Sequence, residues 1–223
     1  VIIFDVETGP LPDEQLRPLI PAFDASEVKC GNLKDPEKIA AKIAEARELH
    51  EQEFIGRAAL SAITGRVLAV GYQSIENGRV VIDDGKGEER TLLANFWQRY
   101  EKSRAERRRM VGHNCLLFDV PFLMRRSWTL DVTVPATVLD KGRWLDTSVF
   151  GDTMSLWAAG GRDFVKLDLL ARAFGVGAKT EGVDGGDFSR LWNGTPEERA
   201  KAVEYLQNDL AITAKVAVKM GLA

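Results

Sequence analysis

Cysteine and histidine are scarce in this chain, with two of each in 223 residues. Cys30 and Cys115 lack the paired spacing of a zinc site and the density of a disulfide scaffold, which fits a reducing, cytoplasmic setting. His50 and His113 form no metal-binding pair, so a histidine-based hydrolase has little support. An excess of positive charge is also missing. The formal charge is −3, which argues against sequence-independent coating of a polyanion and leaves room only for local contacts. There is no signal-peptide pattern, no apolar run long enough to span a bilayer, no internal repeat and no low-complexity tract. What remains is a chain of 45% hydrophobic residues, long enough to bury a substantial core as a single α/β domain over residues 1–223. It starts at Val1 directly in a strand pattern, as expected if an initiator methionine, or more, has been cut away.

Acidic residues stand where local patterns aim them at a common place. The run Val1–Pro10 is apolar and cut short by turn residues, which predicts a buried central strand ending at a loop. Asp5 and Glu7, two apart, share one face at its carboxyl end, where open α/β sheets tend to bind ligands. Taken alone, the pair also fits a solvated strand edge. In Met110–Leu123 a short strand passes through Gly112 into a polar pair and then an apolar helix. Asp119 falls near that helix start, where the helix dipole by itself favours an acid, and Asn114 equally suits a turn. The last helix opens on Thr195-Pro196-Glu197-Glu198, a capping box with proline at the first helical position. On it Tyr205 and Asp209 are neighbours four apart, beside the apolar stripe Leu206, Leu210 and Ala217. By itself that pattern fits a half-buried tyrosine and a solvated aspartate. Four converging carboxylates would instead make a cage for two divalent cations.

Asp-x-Glu on a strand, Asn-x-x-x-Phe-Asp at a strand-to-helix junction and Tyr-x-x-x-Asp on a late helix resemble, in order and context, the motifs of the DEDD 3′-to-5′ exonucleases. The tyrosine resembles the DEDDy branch. Lys166–Gly175 and Lys179–Asp187 are similar to the segment before the third motif in predicted exonucleases related to the proofreading domain of family B DNA polymerases. The resemblance covers most of residues 1–9 and 64–220 and is specific at Asp5, Glu7, Asn114, Phe118, Asp119, Tyr205 and Asp209.

The resemblance implies an α/β, ribonuclease H-like fold: a mixed β-sheet flanked by helices on both faces, with a helical insertion after the first strand. It implies hydrolysis of single-stranded nucleic acid, DNA before RNA, from the 3′ end to nucleoside 5′-monophosphates. The implied cofactors are two Mg²⁺ or Mn²⁺ ions, since hard cations suit oxygen ligands and a pair about 4 Å apart activates water and stabilises the departing oxygen. Asp5 would bridge both ions, Glu7 and Asp209 would hold the one carrying the attacking water, and Asp119 would support the second. A phenol with a pKa of about 10 stays protonated near neutrality, so Tyr205 is expected to orient the water. Asn114 can bond near the terminal sugar or phosphate, and Thr8 can present its backbone amide to the 3′ end. Phe118 and Phe122 can stack on terminal bases or pack in the core, with core packing favoured for Phe122. Two alternatives stay open: an RNA-directed exonuclease or oligoribonuclease with the same mechanism, and a non-catalytic nucleic-acid-binding module. The second would tolerate loss of an acid, and all four are present.

Between the first strand and the next, Arg66–Tyr72, lies an excursion over residues 10–64. Asp35 can cap and Pro36 can start a helix there, with Ile39, Ile43, Ala46 and Phe54 on one stripe. A helix packed on the domain is the expectation, with a flap over substrate as the sharper reading. Further strands are expected near 66–75, 78–83 and 144–149, and helices near 89–107, 152–158 and 165–174. The basic run Lys102–Arg109 reads as a solvated helix face before a phosphate track, with Arg125 and Arg126 following the second motif. The glycine-rich stretch Gly175–Gly194 reads as mobile, and a plain connector and a substrate contact stay equally open for it.

Overall fold

The apolar run at the start folds as strand β1 (Ile2–Pro10), with Ile3 and Phe4 buried, in a computed structural model that describes residues 1–140, 144–177 and 185–223. Chain order continues with α1 (Asp13–Leu16), α2 (Pro36–Arg57), β2 (Gly65–Ser74), β3 (Val80–Asp83), α3 (Glu89–Ala105) and β4 (Met110–Gly112). Then come α4 (Asp119–Thr129), β5 (Leu139–Asp140), β6 (Trp144–Leu145), β7 (Phe150–Asp152), α5 (Thr153–Ala158), α6 (Leu167–Phe174), α7 (Gly185–Trp192) and α8 (Pro196–Lys219). The chain divides into two compact units, Val1–Thr8 with Val67–Ala223, and Gly9–Arg66.

The larger unit is built on a five-stranded sheet of order β3-β2-β1-β4-β7, with β1 at its centre. The sheet is mixed: β2 and β3 are antiparallel, while β4 runs parallel to both β1 and β7. Ile2 lies opposite Met110, Met110 opposite Phe150, and Gly112 opposite Asp152. The carboxyl ends of the three parallel strands therefore line one edge, and Asp5, Glu7, the turn after β4 and Asp152 all emerge there. Parallel strands place ligands at that edge.

Aromatic rings knit α3 to the sheet, with Phe4 centred 5.7 Å from Phe96 and Tyr100 stacked 5.2 Å from Phe150. Gly71 on β2 lets α8 approach, because a Cβ there would stand 2.8 Å from Leu210 Cδ1. That close approach helps hold Tyr205 and Asp209 over the sheet. Arg126 is buried and donates to Glu89 through Nε at 2.8 Å and Nη2 at 2.7 Å, while the Val67 amide also donates to Glu89 Oε1 at 2.8 Å. One buried ion pair thus ties α4, the start of α3 and β2 together.

In the smaller unit the helix begins where the sequence pattern places it: Asp35 accepts from the Glu37 amide and Pro36 takes the first position. None of its residues is fully buried, and Ile39, Ile43, Ala46 and Phe54 are half-buried. Leu11, Leu16 and Ala58 form a small core with Phe54.

Two expectations need correction, and one secondary reading falls. The strand read at 144–149 is two elements: β6 pairs with β5, and the sheet strand is β7. Asp146 makes the break, accepting from the Ser148 amide at 2.9 Å through its side chain and from the Phe150 amide at 2.9 Å through its carbonyl. The stretch Gly175–Gly194 contains α7, anchored by buried Phe188, Leu191 and Trp192, while residues 178–184 and most of Lys179–Asp187 lie outside the described residues. The basic run is exposed from Lys102 to Arg108 except at Ser103, as the favoured solvated-face reading expects, and it sits at the wrong end for the secondary reading as a phosphate track. Ile2 donates to the Arg109 carbonyl, so the run lies at the amino ends of β1 and β4. At ~3.3 Å per residue, that is roughly 10–17 Å of strand away from Asp5 and Glu7. Lys102 pairs there with Glu106 and Arg104 with Asp146.

Candidate metal centre

Three elements carry the acids to one place. Alternation along β1 puts Asp5 and Glu7 on one face, and α8 brings Asp209 to them. A carboxylate oxygen from each of Asp5, Glu7 and Asp209 lies within 4.8 Å of the other two. Asp209 is only 4% exposed, against the solvated aspartate that its helix pattern alone suggests.

The third element is α4, whose first residue is Asp119; its Oδ1 accepts at 3.2 Å from the amide of Val6, the residue between Asp5 and Glu7. Burial first, and then the negative charge of Asp5, push its carboxyl well above the ordinary aspartate range. Carboxylates crowded in this way repel one another unless a proton or a cation joins them. The donor set is entirely oxygen, which fits Mg²⁺ or Mn²⁺ rather than a thiolate-seeking metal.

Tyr205 lies one turn before Asp209 on the same face of α8 and is 3% exposed. Its ring is centred 6.3 Å from Phe188 of α7, and a Cβ at Gly185 would stand 4.0 Å from its hydroxyl. The unforeseen helix α7 therefore borders this tyrosine. Asn114 takes a left-handed φ of 64° in the turn after β4. Phe118 is half-buried with its ring 5.6 Å from that of buried Phe122, and Thr8 is half-buried next to Glu7.

Other chemistry-bearing groups are engaged elsewhere. His113 bonds through Nδ1 to Thr153 Oγ1 at 2.8 Å and through Nε2 to the Val165 carbonyl at 2.9 Å. Cys115 is buried, and burial foremost, followed by the charges of Asp152 and Asp119, pushes its thiol up, which keeps it unreactive. A cavity of about 530 Å³ lies along Leu117, Pro121, Met124, Arg125 and Trp128. At about 100° per residue, Trp128 is about 180° round α4 from Asp119, so this cavity lies behind the helix and not over the acids.

The residue that sequence reasoning missed is Asp152, which is 4% exposed and accepts from the amides of Asn114 and Leu116. Its one local signal is its position before α5, which reads as an ordinary cap.

A mixed sheet flanked by helices, with acids gathered at the carboxyl edge of its central strand, defines the ribonuclease H-like class of α/β domains. Within that class the chain belongs to the family described as predicted 3′-5′ exonuclease related to the exonuclease domain of PolB, which matches residues 52–222, well over half of its length. Among solved structures it is similar to the family B DNA polymerase of the hyperthermophilic archaeon Pyrobaculum calidifontis, at 18% identity and a TM-score of 0.61. That match covers 98% of this chain and 24% of the polymerase, so the chain spans about a quarter of its length. No curated protein matches the sequence significantly. Among the described residues no helix is long and apolar enough to cross a membrane.

Proposed function

We propose that this chain is a divalent-metal-dependent 3′-to-5′ exonuclease that releases nucleoside 5′-monophosphates from the 3′ end of single-stranded nucleic acid, DNA in preference to RNA. Residues 1–223 act in this reading as one exonuclease domain with residues 10–64 as its insertion. The observation that carries it is the convergence of Asp5, Glu7 and Asp209 within 4.8 Å, from the central strand and the last helix.

Asp5, Glu7 and Asp209 would hold one Mg²⁺ or Mn²⁺ ion, and Asp5 with Asp119 a second. Bound there, the two ions supply charge to the phosphodiester and lower the pKa of water near it. The protein's own groups do the rest. The four acids fix where the scissile phosphate stops, and their repulsion makes an ion-free centre avid for cations. Tyr205, held by α7 and α8, orients the attacking water through its hydroxyl. Thr8 and Asn114 bracket the 3′ terminus from the ends of β1 and β4, and half-buried Phe118 stacks on the last base.

The test is shortening of a 5′-labelled oligonucleotide in Mn²⁺ or Mg²⁺, run on matched DNA and RNA strands. The expected result is stepwise loss of 3′ nucleotides, faster on DNA, stopped by EDTA and by Asp5→Ala in a protein that remains folded. No shortening with either ion, or full activity in Asp5→Ala, would overturn the reading. Faster loss of RNA would keep the mechanism and reverse the substrate.

A further inference from the structure

Asp152 ends β7 opposite Gly112, and its carboxylate meets amides from two directions. Oδ1 accepts from Asn114 at 2.9 Å, Met154 at 2.8 Å and Ser155 at 3.3 Å, and Oδ2 accepts from Leu116 at 3.0 Å. The Met154 and Ser155 bonds cap α5, a task that serine, threonine or asparagine does as well. The Asn114 and Leu116 bonds do something else. They close the turn after β4, and only a carboxylate offers two acceptor oxygens with no donor to meet amides on both sides.

That turn runs without a break into the acidic centre. Asn114 is held at a φ of 64°, a region that non-glycine residues seldom adopt, and its carbonyl accepts from the Leu117 and Phe118 amides at 3.2 and 3.0 Å. The Cys115 carbonyl accepts from the Val120 amide at 2.9 Å, which sets the first turn of α4. Asp119 sits in that turn and reaches the Val6 amide between Asp5 and Glu7. Both oxygens of Asp152 are engaged by amides, so it is placed to orient the turn and not to bind a cation.

We infer that Asp152 is a positioning residue of the acidic centre, which holds the Asn114–Leu116 turn so that Asp119 is delivered beside Asp5. The inference rests on the nuclease reading above and names a residue that acts through others.

Two variants separate this role from capping. Asp152→Ser keeps a cap for α5 and loses the bonds to the turn. Asp152→Asn keeps a carbonyl at Oδ1 and turns an N–H toward the Leu116 amide, so it carries the comparison if the serine variant fails to fold. Each is measured for melting temperature, for kcat and KM on the oligonucleotide, and for Mn²⁺ affinity by calorimetry. Loss of a residue that orients metal ligands typically costs about tenfold to a hundredfold in activity or affinity. The expected result is a fall of that size in kcat with KM unchanged and weaker Mn²⁺ binding, in a protein that still unfolds cooperatively. A folded variant with wild-type kcat and Mn²⁺ affinity, whatever its melting temperature, would reduce Asp152 to a helix cap and overturn the inference. Should the wild-type protein cleave nothing, the nuclease reading fails on its own, and the Mn²⁺ affinities of wild type and Asp152→Asn still decide whether Asp152 sets the centre.

Discussion

Replacing Asp209 with asparagine should stabilise the protein without metal and abolish its response to metal. Oxygens of Asp5, Glu7 and Asp209 lie within 4.8 Å of one another, and Asp209 and Glu7 are buried. At 4.8 Å two full charges repel by about 3.5 kcal/mol at an effective dielectric of ~20 and by about 0.9 kcal/mol in bulk water. Asp209 faces two such neighbours at that distance or closer, so even at the bulk-water dielectric its charge costs about 2 kcal/mol. For a chain of this size each kcal/mol moves the melting temperature by about 2–4 °C, so Asp209→Asn should melt roughly 4–8 °C above wild type in EDTA. Wild type should gain about 2.7 kcal/mol from a cation at a hundredfold excess over its Kd, or about 5–11 °C, and the variant little or none. Scanning calorimetry of both proteins, in EDTA and across a Mn²⁺ titration, measures all four values. A variant that melts below wild type in EDTA and still rises with Mn²⁺ as far as wild type would refute the claim that these carboxylates repel one another and jointly bind cation.

Tyr205→Phe keeps the ring against Phe188 and removes the hydroxyl, so kcat should fall by roughly tenfold or more while the Mn²⁺-induced rise in melting temperature is unchanged; an unaltered kcat would remove the tyrosine from the reaction. Glu89→Ala removes both carboxylate bonds to Arg126, whose side chain is 4% exposed, and leaves the Val67 amide without its acceptor. The expected loss is about 3–5 kcal/mol in urea unfolding, and a loss below about 1 kcal/mol would show the pair to be no better than a surface one. Asp146 is held below the usual carboxylate range: burial alone would raise it, but the Ser148 hydroxyl and amide, the Tyr100 hydroxyl and Arg104 together outweigh burial. A depressed acid contributes stability that is present above its unfolded pKa and lost as pH falls through its folded value, so the acid limb of a stability-against-pH curve should flatten in Asp146→Asn. A limb of unchanged slope would show that Asp146 carries none of it.

Elements that carry their own start signals are legible from residue order alone. The capping box at Thr195 and the Asp35-Pro36 pair mark α8 and α2 because caps and N-terminal prolines act within a few residues of chain. The β1 run is legible for a similar reason, since burial on both faces leaves an unbroken apolar string. Local patterns mislead where stability is tertiary. Gly185 and Gly186 read as connector, yet α7 forms because Phe188, Leu191 and Trp192 bury against α8, and packing of that kind outweighs weak helix propensity. The split of 144–149 into β6 and the approach to β7 turns on Asp146, whose side chain competes with strand pairing by bonding the amide two residues on.

The acidic centre is legible as residue types and much less as environment. Asp5 and Glu7 follow from the two-residue period of a strand, and Tyr205 with Asp209 from the four-residue neighbourhood of a helix. Neither period says whether a side chain meets water. Asp209 and Tyr205 are buried because Gly71 lets Leu206 and Leu210 close onto β2, a fact spread over distant stretches of chain. Asp152 is the sharper case. An aspartate before a helix is most simply a cap, and as a cap one of its oxygens suffices. What sets this one apart is its second oxygen, which the Leu116 amide reaches from 36 residues upstream. Only the parallel pairing of β4 with β7 brings that amide within range. The information is therefore topological, and a local pattern around residue 152 has nothing with which to express it.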